Sequence, residues 1–236
     1  MDFLKTNVDI SHLSNFKTKA KTKYYYEINE YNDIFKLNDI WNFSRQNNLW
    51  FLIIWGWTNV LFAFSEYSWI IVKNNLKWFE YDNTSKLLTV STSESIWTVA
   101  EALEKDYNND LWHRFIGLPG SIWWAVFWNA WCFWLETESN FVSCEVYDLS
   151  SWEIKIFSKS DMNFTYRDSF FKQNESYFII NATFDLSTKV EKYSSDVDNI
   201  KFREEVQPKW NSCWRFFKNP SKEHSAWFLI ENVWLK

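Results

Sequence analysis

The stretch that decides the fold is residues 117–134, which read GLPGSIWWAVFWNAWCFW. It lies inside Phe115–Leu135, a segment of 21 residues without a charged side chain. Taken literally, such a run meets the rule of about 20 apolar residues for a membrane-spanning helix. Pro119, Gly120 and Asn129 interrupt it, however, and tryptophan concentrates at membrane interfaces rather than through the membrane core. The residue pattern therefore disfavours a membrane span.

The tryptophan and glycine contents suggest another interpretation. The 236 residues include 18 tryptophans and only 3 glycines, whereas ordinary proteins carry roughly 7% glycine. A fold of this size needs glycine wherever φ is positive or the backbone approaches a partner closely. We therefore predict that most tryptophans mark glycine positions, as UGA codons read as glycine in some bacterial lineages would produce. Trp112 is interpreted as a genuine aromatic. UGG codons at Trp55, Trp57, Trp123 and Trp124 would contradict the hypothesis.

Several tryptophans lie where turns are expected. Trp55 separates two β-rich runs, Trp152 follows two serines where a hairpin glycine is usual, and Trp234 lies where a helix C-cap glycine is usual. With glycine at its five tryptophan positions, the stretch 117–134 reads GLPGSIGGAVFGNAGCFG. Such a glycine-rich loop system would place backbone N–H groups against a phosphate.

Hydrophobic periodicity predicts an α+β chain dominated by strands, without an internal repeat. Apolar residues at three-residue spacing predict an amphipathic helix over 31–48, and a second helix is predicted over 96–105 with Ser95 as its cap. A polar linker or surface helix is predicted over 189–205, and a last helix over 221–233. The predicted strands are 24–28, 51–54, 60–64, 70–73, 78–81, 87–91, 141–149, 153–157 and 177–186.

Charge and cysteine usage exclude several classes of protein. The net charge of −5 and the pI near 5.3 argue against nucleic acid or an anionic membrane as a partner. Cys132, Cys144 and Cys213 are too few and too scattered for a disulfide framework or a zinc site. The N-terminus shows no signal peptide. These features predict a reduced, cytoplasmic protein.

With glycine restored, four blocks in order resemble the MurB family of UDP-N-acetylmuramate dehydrogenases. Block one, IIWGWTNVL at 53–61, resembles the LGGGSN-x-L loop for the flavin pyrophosphate. Block two, at 117–134, resembles G-x-PG-x-x-GGA…N-x-GAYG. Block three, YRDSFFK at 166–172, resembles YR-x-S-x-FK. Block four, WRFFKNP at 214–220 and SAWFLIE at 225–231, resembles GS-x-FKNP…AG-x-LIE. A Rossmann site fits less well, because its glycine motif must open a helix and 60–64 reads as a strand.

The resemblance implies a vanillyl-alcohol-oxidase-type, or PCMH-type, FAD-binding fold. Two α+β subdomains, at about 1–70 and 71–188, are expected to hold FAD between them. Residues 189–236 would begin the MurB C-terminal α+β substrate domain. The family continues further and supplies a catalytic glutamate there, so we expect a C-terminally truncated chain that does not turn over alone. The resemblance implies NADPH as the co-substrate and UDP-N-acetylglucosamine enolpyruvate as the substrate. The enzyme is expected to be a monomer.

The resemblance also assigns site residues. Arg167 matches the arginine that stabilises negative charge developing beside the substrate carboxylate; the alternative for it is a structural ion pair. Tyr166, Lys218 and Asn219 match substrate-contacting positions, although Tyr166 could simply pack and the other two could be ordinary loop residues. The residues expected to bind the cofactor are Trp55, Gly56, Trp57, Thr58, Asn59, Gly117, Pro119, Gly120, Ser121, Trp123, Trp124, Ala125 and Asn129.

The proton donor departs from the family pattern. The family's serine aligns with Arg215, and a guanidinium is a poor proton donor because it is effectively never deprotonated. Ser212 or Cys213 could donate instead if the loop register shifts. Otherwise Arg215 could bind substrate phosphate, with water as the proton donor. Cys132 stands where the family often has alanine beside the flavin, and a small buried cysteine is favoured there over covalent flavin attachment.

Two other functions remain open from the residues alone. One is a flavoprotein of the same fold with a different substrate, which the FKNP and AG-x-LIE resemblances disfavour. The other takes the tryptophans literally, as an aromatic-rich protein that binds carbohydrate or a membrane interface.

Overall fold

The computed structural model describes residues 1–55, 60–174, 176–187, 199–206, 217–221 and 224–233. The strands are β1 (Lys5–Asp9), β2 (Lys21–Ile28), β3 (Phe51–Ile54), β4 (Glu66–Asn74), β5 (Phe79–Asp82), β6 (Leu87–Ser91), β7 (Trp131–Cys132), β8 (Leu135–Glu136), β9 (Phe141–Asp148), β10 (Glu153–Ser158) and β11 (Tyr177–Asp185). The helices are α1 (Leu37–Gln46), α2 (Ile96–Tyr107), α3 (Ile122–Phe127), α4 (Thr137–Asn140), α5 (Asn199–Val206) and α6 (Ala226–Asn232), and short 3-10 helices lie at Ser11–Leu13, Tyr31–Lys36, His113–Phe115, Lys159–Met162 and Phe170–Gln173.

The strands form two main sheets. The first has the order β1-β2-β4-β3, in which β2 and β3 both pair parallel with β4 and β1 pairs antiparallel with β2. The second is antiparallel throughout, with the order β10-β9-β11-β6-β5. Because β3 and β4 are parallel, their carboxyl ends meet at one edge of the first sheet, where block one begins.

The first sheet is buried on both faces. Ile71 of β4 joins a cluster with Ile10 and Tyr25 on one face. Ile70 points to the other face, as alternation along a strand requires, and joins a cluster with Tyr147 and Phe178 of the second sheet. That shared cluster forms the interface between the sheets. The second sheet buries its own core against α2 and α3.

The α+β prediction is confirmed, and eight of the nine predicted strands are present. The strand predicted at 60–64 is wrong. The carbonyl oxygens of Val60 and Phe62 accept hydrogen bonds from the hydroxyls of Ser14 and Thr18, at 2.5 and 2.9 Å, instead of pairing with a strand. Phe62 is nevertheless buried, so the apolar pattern of this segment reflects a packed loop.

The predicted helices are present with shifted ends. The helix over 31–48 begins as a 3-10 turn before α1, and α2 is capped by Ser95, whose hydroxyl accepts from the Thr98 N–H at 3.2 Å. The last helix begins at Ala226 rather than at 221, with Ser225 as its cap. Within the described ranges, no helix has the length and apolarity needed to cross a membrane.

Two tryptophans of the described ranges have a left-handed backbone. Trp152, in the turn between β9 and β10, has φ 64°, which confirms that its position favours glycine. Phe133 and Trp134 form the two-residue turn between β7 and β8, with φ 43° and 67°. Positive φ at both central residues defines the hairpin turn that prefers Asn-Gly, and the left-handed conformation costs an L-residue about 1–2 kcal/mol.

Trp134→Gly is expected to raise the free energy of unfolding by about 1 kcal/mol. Glycine relieves the left-handed conformation, and the indole, 60% exposed and in ring contact with Trp131, gives up less buried surface than a core indole would. The matched control is Trp97→Gly, at a 41% exposed position of α2, where glycine destabilises by its helix-propensity cost of about 0.5 kcal/mol and by the additional loss of the buried part of the indole. Urea unfolding of both variants measures the difference. A Trp134→Gly variant less stable than the parent would contradict a glycine position at this turn.

Candidate functional site

Blocks one and two meet at the interface between the two sheets. Trp55, the residue after β3, stacks on Trp123 of α3 with ring centroids 4.4 Å apart and planes at 8°. Trp55 also stacks on Phe178 of β11, at 5.7 Å and 22°, and Trp123 on Phe127, at 4.5 Å and 26°. We call these four rings the aromatic column. It joins residues from both sheets, where the sequence predicted the flavin loops to converge.

Block two is anchored by its backbone to the second sheet and α2. The carbonyl of Gly120 accepts from the N–H of Ile96 at 3.1 Å, and the N–H of Trp123 donates to the Thr92 carbonyl at 2.8 Å. The Ser121 hydroxyl accepts from the N–H of Trp124 at 3.3 Å and caps α3. These bonds fix the path of the predicted cofactor-binding segment.

Backbone conformation favours glycine at one position of block two, and a close side chain disfavours a Cβ at another. Gly117 has φ 78°, which L-residues rarely adopt. A Cβ at Gly120 would lie 3.1 Å from Cε3 of Trp124, so the Trp124 indole already fills the space over Gly120. Of the other predicted cofactor residues in this block, Ala125 is buried and Pro119 is half-buried.

The side-chain amide of Asn129 is held by hydrogen bonds to other parts of the fold. Its Nδ2 donates to Oε2 of Glu136 and to the carbonyl of Thr165, both at 3.2 Å, and its Oδ1 accepts from the N–H of Glu138 at 2.9 Å. These bonds join block two to the start of α4 and to the segment before block three. They engage both ends of the amide that was predicted to contact the cofactor.

Block three is held against block two. The hydroxyl of Ser169 donates to the carbonyl of Phe127 at 2.7 Å, and Nζ of Lys172 lies 4.4 Å from the ring centroid of Trp128. The Arg167 guanidinium lies 6.0 Å from the ring centroid of Trp124. The structure thus brings the predicted catalytic arginine to block two, while Tyr166 beside it is 49% exposed.

Much of blocks one and four lies outside the described residues. Of the predicted substrate contacts, Lys218 is exposed, and Oδ1 of Asn219 accepts from the N–H of Ala226 at 3.0 Å. This bond places Asn219 at the start of α6. The predicted site residues outside the described ranges are Gly56, Trp57, Thr58, Asn59, Ser212, Cys213 and Arg215.

Arg203 is a buried cation that the sequence interpretation missed, because it lies in the polar stretch 189–205 that was predicted to be a linker or surface helix. It belongs to α5 but is only 5% exposed. Its guanidinium donates to the carbonyls of Ile116 and Arg114 and to Sγ of Cys132, at 2.7 Å for the last. Arg203 therefore ties α5 to block two.

Two further ionisable groups lie near the blocks. Burial raises the pKa of the Cys132 thiol, and the neighbouring Arg203 guanidinium only partly offsets that effect, so the prediction of a small buried cysteine is confirmed. Lys73 of β4 pairs in register with Ile54, the residue before block one's first tryptophan. Burial, reinforced by the charge of Lys77, lowers the pKa of Lys73 to about 8.

FAD does not fit between blocks one and two when these positions carry tryptophan. The Trp55 indole is 6% exposed and stacked directly on Trp123, so the two predicted phosphate-binding loops contact each other through indoles. The Trp55 Nε1 is buried and has no hydrogen-bond partner among the described residues. An unpaired buried donor costs about 1–3 kcal/mol.

The chain matches no protein-family model, but it is similar to curated proteins along its length. The UDP-N-acetylenolpyruvoylglucosamine reductase of Protochlamydia amoebophila is 28% identical in an alignment of 242 positions, which covers 98% of this chain and 75% of the relative. The reductase of the same name from Fervidobacterium nodosum is 27% identical, over 98% of this chain and 73% of the relative. That of Clostridium beijerinckii is 41% identical over 125 residues, covering 51% of this chain and 40% of the relative.

Solved structures share the fold. The UDP-N-acetylenolpyruvylglucosamine reductase (MurB) of Thermus caldophilus superposes with a TM-score of 0.71 at 15% identity, covering 99% of this chain and 82% of that chain. Phl p 4.0202, a glucose dehydrogenase, superposes with a TM-score of 0.56 at 9% identity, covering 78% and 41%. The predicted vanillyl-alcohol-oxidase-type, or PCMH-type, fold is thereby confirmed.

Proposed function

We propose that this chain, a homologue of the UDP-N-acetylenolpyruvoylglucosamine reductases over nearly its whole length, belongs to a full-length enzyme that, with glycine at the tryptophan positions of blocks one and two, reduces UDP-N-acetylglucosamine enolpyruvate to UDP-N-acetylmuramate. This FAD-dependent reduction is a step in the synthesis of peptidoglycan precursors. The observation that carries the proposal is the sequence similarity to the Protochlamydia amoebophila reductase, which covers 98% of the chain. The alternative of an aromatic-rich carbohydrate or membrane-interface binder gains no support from these matches.

NADPH is proposed as the reductant and the monomer as the working form. The enzyme is proposed to act in the cytoplasm, because nucleotide sugars and NADPH are both found there. Residues 1–188 are proposed to form the flavin domain, with the subdomain boundary between β4, which ends at Asn74, and β5 instead of near residue 70, because residue 70 lies inside β4. Residues 189–236 are proposed to form part of the substrate domain.

Arg167 is proposed to contact the enolpyruvyl group of the substrate. Reduction of this group builds negative charge beside a carboxylate, and a fixed guanidinium stabilises such charge. The position of Arg167 next to block two supports this role. Tyr166, Lys218 and Asn219 are proposed to contact the rest of the substrate. The proton is proposed to come from Ser212 or Cys213, or from water if Arg215 binds the substrate phosphate instead.

The test uses a variant with glycine at Trp55, Trp57, Trp123 and Trp124, called the glycine form below. Because these substitutions remove the indoles from both predicted phosphate-binding loops, the purified protein is expected to carry yellow flavin. Isothermal titration measures its binding of UDP-N-acetylglucosamine enolpyruvate, and product analysis with NADPH measures UDP-N-acetylmuramate. Because the chain is not expected to turn over alone, binding is the deciding readout, and a flavin-loaded glycine form that does not bind this compound would disprove the proposed substrate.

A further inference from the structure

Arg167 lies in a tight turn that precedes the 3-10 helix Phe170–Gln173. The N–H of Thr165 donates to the carbonyl of Asp168 at 3.2 Å, and the N–H of Asp168 donates back to the carbonyl of Thr165 at 3.1 Å. These bonds enclose Tyr166 and Arg167, and the backbone of Arg167 is left-handed, with φ 56°. L-residues adopt this conformation only where surrounding contacts hold it. The turn that presents Arg167 therefore depends on its anchors.

The turn is anchored both beside its ends and at Arg167 itself. Beside its ends it is bonded to block two, through the Asn129 amide at 3.2 Å and through the Ser169 hydroxyl at 2.7 Å. The third bond comes from Lys172, whose Nζ donates to the carbonyl of Arg167 at 3.1 Å. Of these three bonds, the one from Lys172 acts on Arg167 directly.

Lys172 is itself fixed in place. Its side chain is 19% exposed, its Nζ lies 3.5 Å from Oδ1 of Asp168, and it lies 4.4 Å from the ring centroid of Trp128. The same Oδ1 of Asp168 accepts from the N–H of Ser169 at 2.9 Å. The ammonium thus bridges the carbonyl of Arg167 and the carboxylate of the next residue. Hydrogen bonds from a charged donor are stronger than neutral ones, so this bridge fixes the backbone from which the Arg167 side chain extends.

We infer that Lys172 is a positioning residue for substrate recognition, which holds the left-handed turn so that the Arg167 guanidinium meets the substrate carboxylate. The inference rests on the proposed function, because it takes Arg167 as the residue that contacts the enolpyruvyl group. Lys172 belongs to block three, but the resemblance assigns it no role. Because its ammonium is engaged by Asp168 and by the Arg167 carbonyl, it acts through Arg167 and not on the substrate.

The glycine form tests this role without the indole beside Arg167. Trp124, whose ring centroid lies 6.0 Å from the Arg167 guanidinium, is replaced in that form. Trp128 is retained, and so are the partners of Lys172. The bonds of the turn must then position Arg167 without the neighbouring ring.

The experiment compares variants of the FAD-loaded glycine form by isothermal titration with UDP-N-acetylglucosamine enolpyruvate and with UDP-N-acetylglucosamine. Lys172→Met removes the ammonium and is expected to weaken binding of the first compound about tenfold, which is less than the loss of a hydrogen bond between charged groups can cost. UDP-N-acetylglucosamine lacks the carboxylate, so its affinity should stay within about twofold. Lys172→Arg keeps a cationic donor and should lose no more than about threefold.

The matched control is Lys159→Met, which makes the same change at an exposed lysine of the 3-10 helix Lys159–Met162. It should bind both compounds as the parent does. A Lys172→Met variant that binds the enolpyruvate compound as tightly as the parent would overturn the inference. Equal weakening of both compounds would also overturn it, because a general loss of structure does not discriminate between them.

A double-mutant cycle separates positioning from direct contact. In the Arg167→Ala background, Lys172→Met is expected to weaken binding of the enolpyruvate compound by no more than about twofold. Additive losses would show that Lys172 acts independently of Arg167 and would overturn the inference. If Lys172→Met does not fold, Asp168→Asn takes its place, since it removes the ion pair but keeps an oxygen for the Ser169 N–H. It should weaken the enolpyruvate compound alone, about threefold, and an unchanged affinity would overturn the inference.

Amide hydrogen exchange tests the turn without a ligand. In the chain with all tryptophans, Lys172→Met should speed exchange of the Asp168 N–H several-fold, and Lys159→Met should leave it unchanged. Unchanged exchange in Lys172→Met would overturn the inference. If the glycine form binds neither compound, the proposed substrate fails, and the exchange rates still show whether Lys172 holds the turn.

Discussion

Trp112→Gly is expected to lower the free energy of unfolding by about 4 kcal/mol. The indole is 2% exposed and packs edge-on against Phe115 and Phe184, with ring centroids 5.4 and 5.0 Å away. Its Nε1 makes no hydrogen bond to the described residues, so packing supplies its stabilisation. Since domains are stable by only about 5–15 kcal/mol, this substitution removes a large share. Urea unfolding followed by far-UV circular dichroism measures it.

Trp97→Gly is again the control, because it makes the same chemical change at an exposed position. A Trp112→Gly variant with the same free energy of unfolding as the parent would contradict the interpretation of Trp112 as a core aromatic. Together with Trp134→Gly, the set separates tryptophans that pack from those that occupy glycine positions: one substitution should destabilise strongly, one weakly, and one should stabilise.

Arg167→Ala, made in the FAD-loaded glycine form, is expected to weaken binding of UDP-N-acetylglucosamine enolpyruvate about 30- to 100-fold. This corresponds to loss of a hydrogen bond between charged groups, about 2–3 kcal/mol. UDP-N-acetylglucosamine lacks the enolpyruvyl carboxylate, so its affinity should hardly change. Isothermal titration with both ligands measures the two effects on one protein preparation.

The matched variant is Arg45→Ala, in which a guanidinium of α1 lying 5.5 Å from the Trp41 ring is removed. It should bind both ligands as the parent does. Equal weakening of both ligands by Arg167→Ala would show that Arg167 maintains the fold of the site and does not recognise the carboxylate. Arg167→Lys retains the charge and should recover part of the lost affinity, but less than full affinity because lysine lacks the planar fork.

The strands and main helices were predictable because their signals are local. Alternating apolar residues in β2 and β4 and the serine cap of α2 identify elements without knowledge of the partner. The strand prediction for residues 60–64 was wrong because burial gives the same apolar pattern in a strand and in a packed loop. Their carbonyl partners, Ser14 and Thr18, lie more than 40 residues earlier in the chain, and composition carries no sign of that pairing.

The candidate site was predictable only in part. The resemblance assigned Trp55 and Trp123 to one cofactor site, and their stacking agrees with that expectation. Phe178 and Arg203 could not be found in the same way. Phe178 lies in an ordinary apolar strand, and Arg203 lies in a polar helix whose burial depends on docking against the Ile116 carbonyl. Long-range packing decides both positions, and no local pattern reports it.

The strand order of the second sheet has a consequence for synthesis on the ribosome. β6 can pair early with β5, but its other edge waits for β11, and Thr89 and Thr183, whose hydroxyls lie 3.1 Å apart, are 94 residues apart in the chain. At about 5–20 residues per second, that edge stays open for roughly 5–20 seconds. Unpaired strand edges invite association with other chains, so yield in a foreign host should depend on chaperone supply.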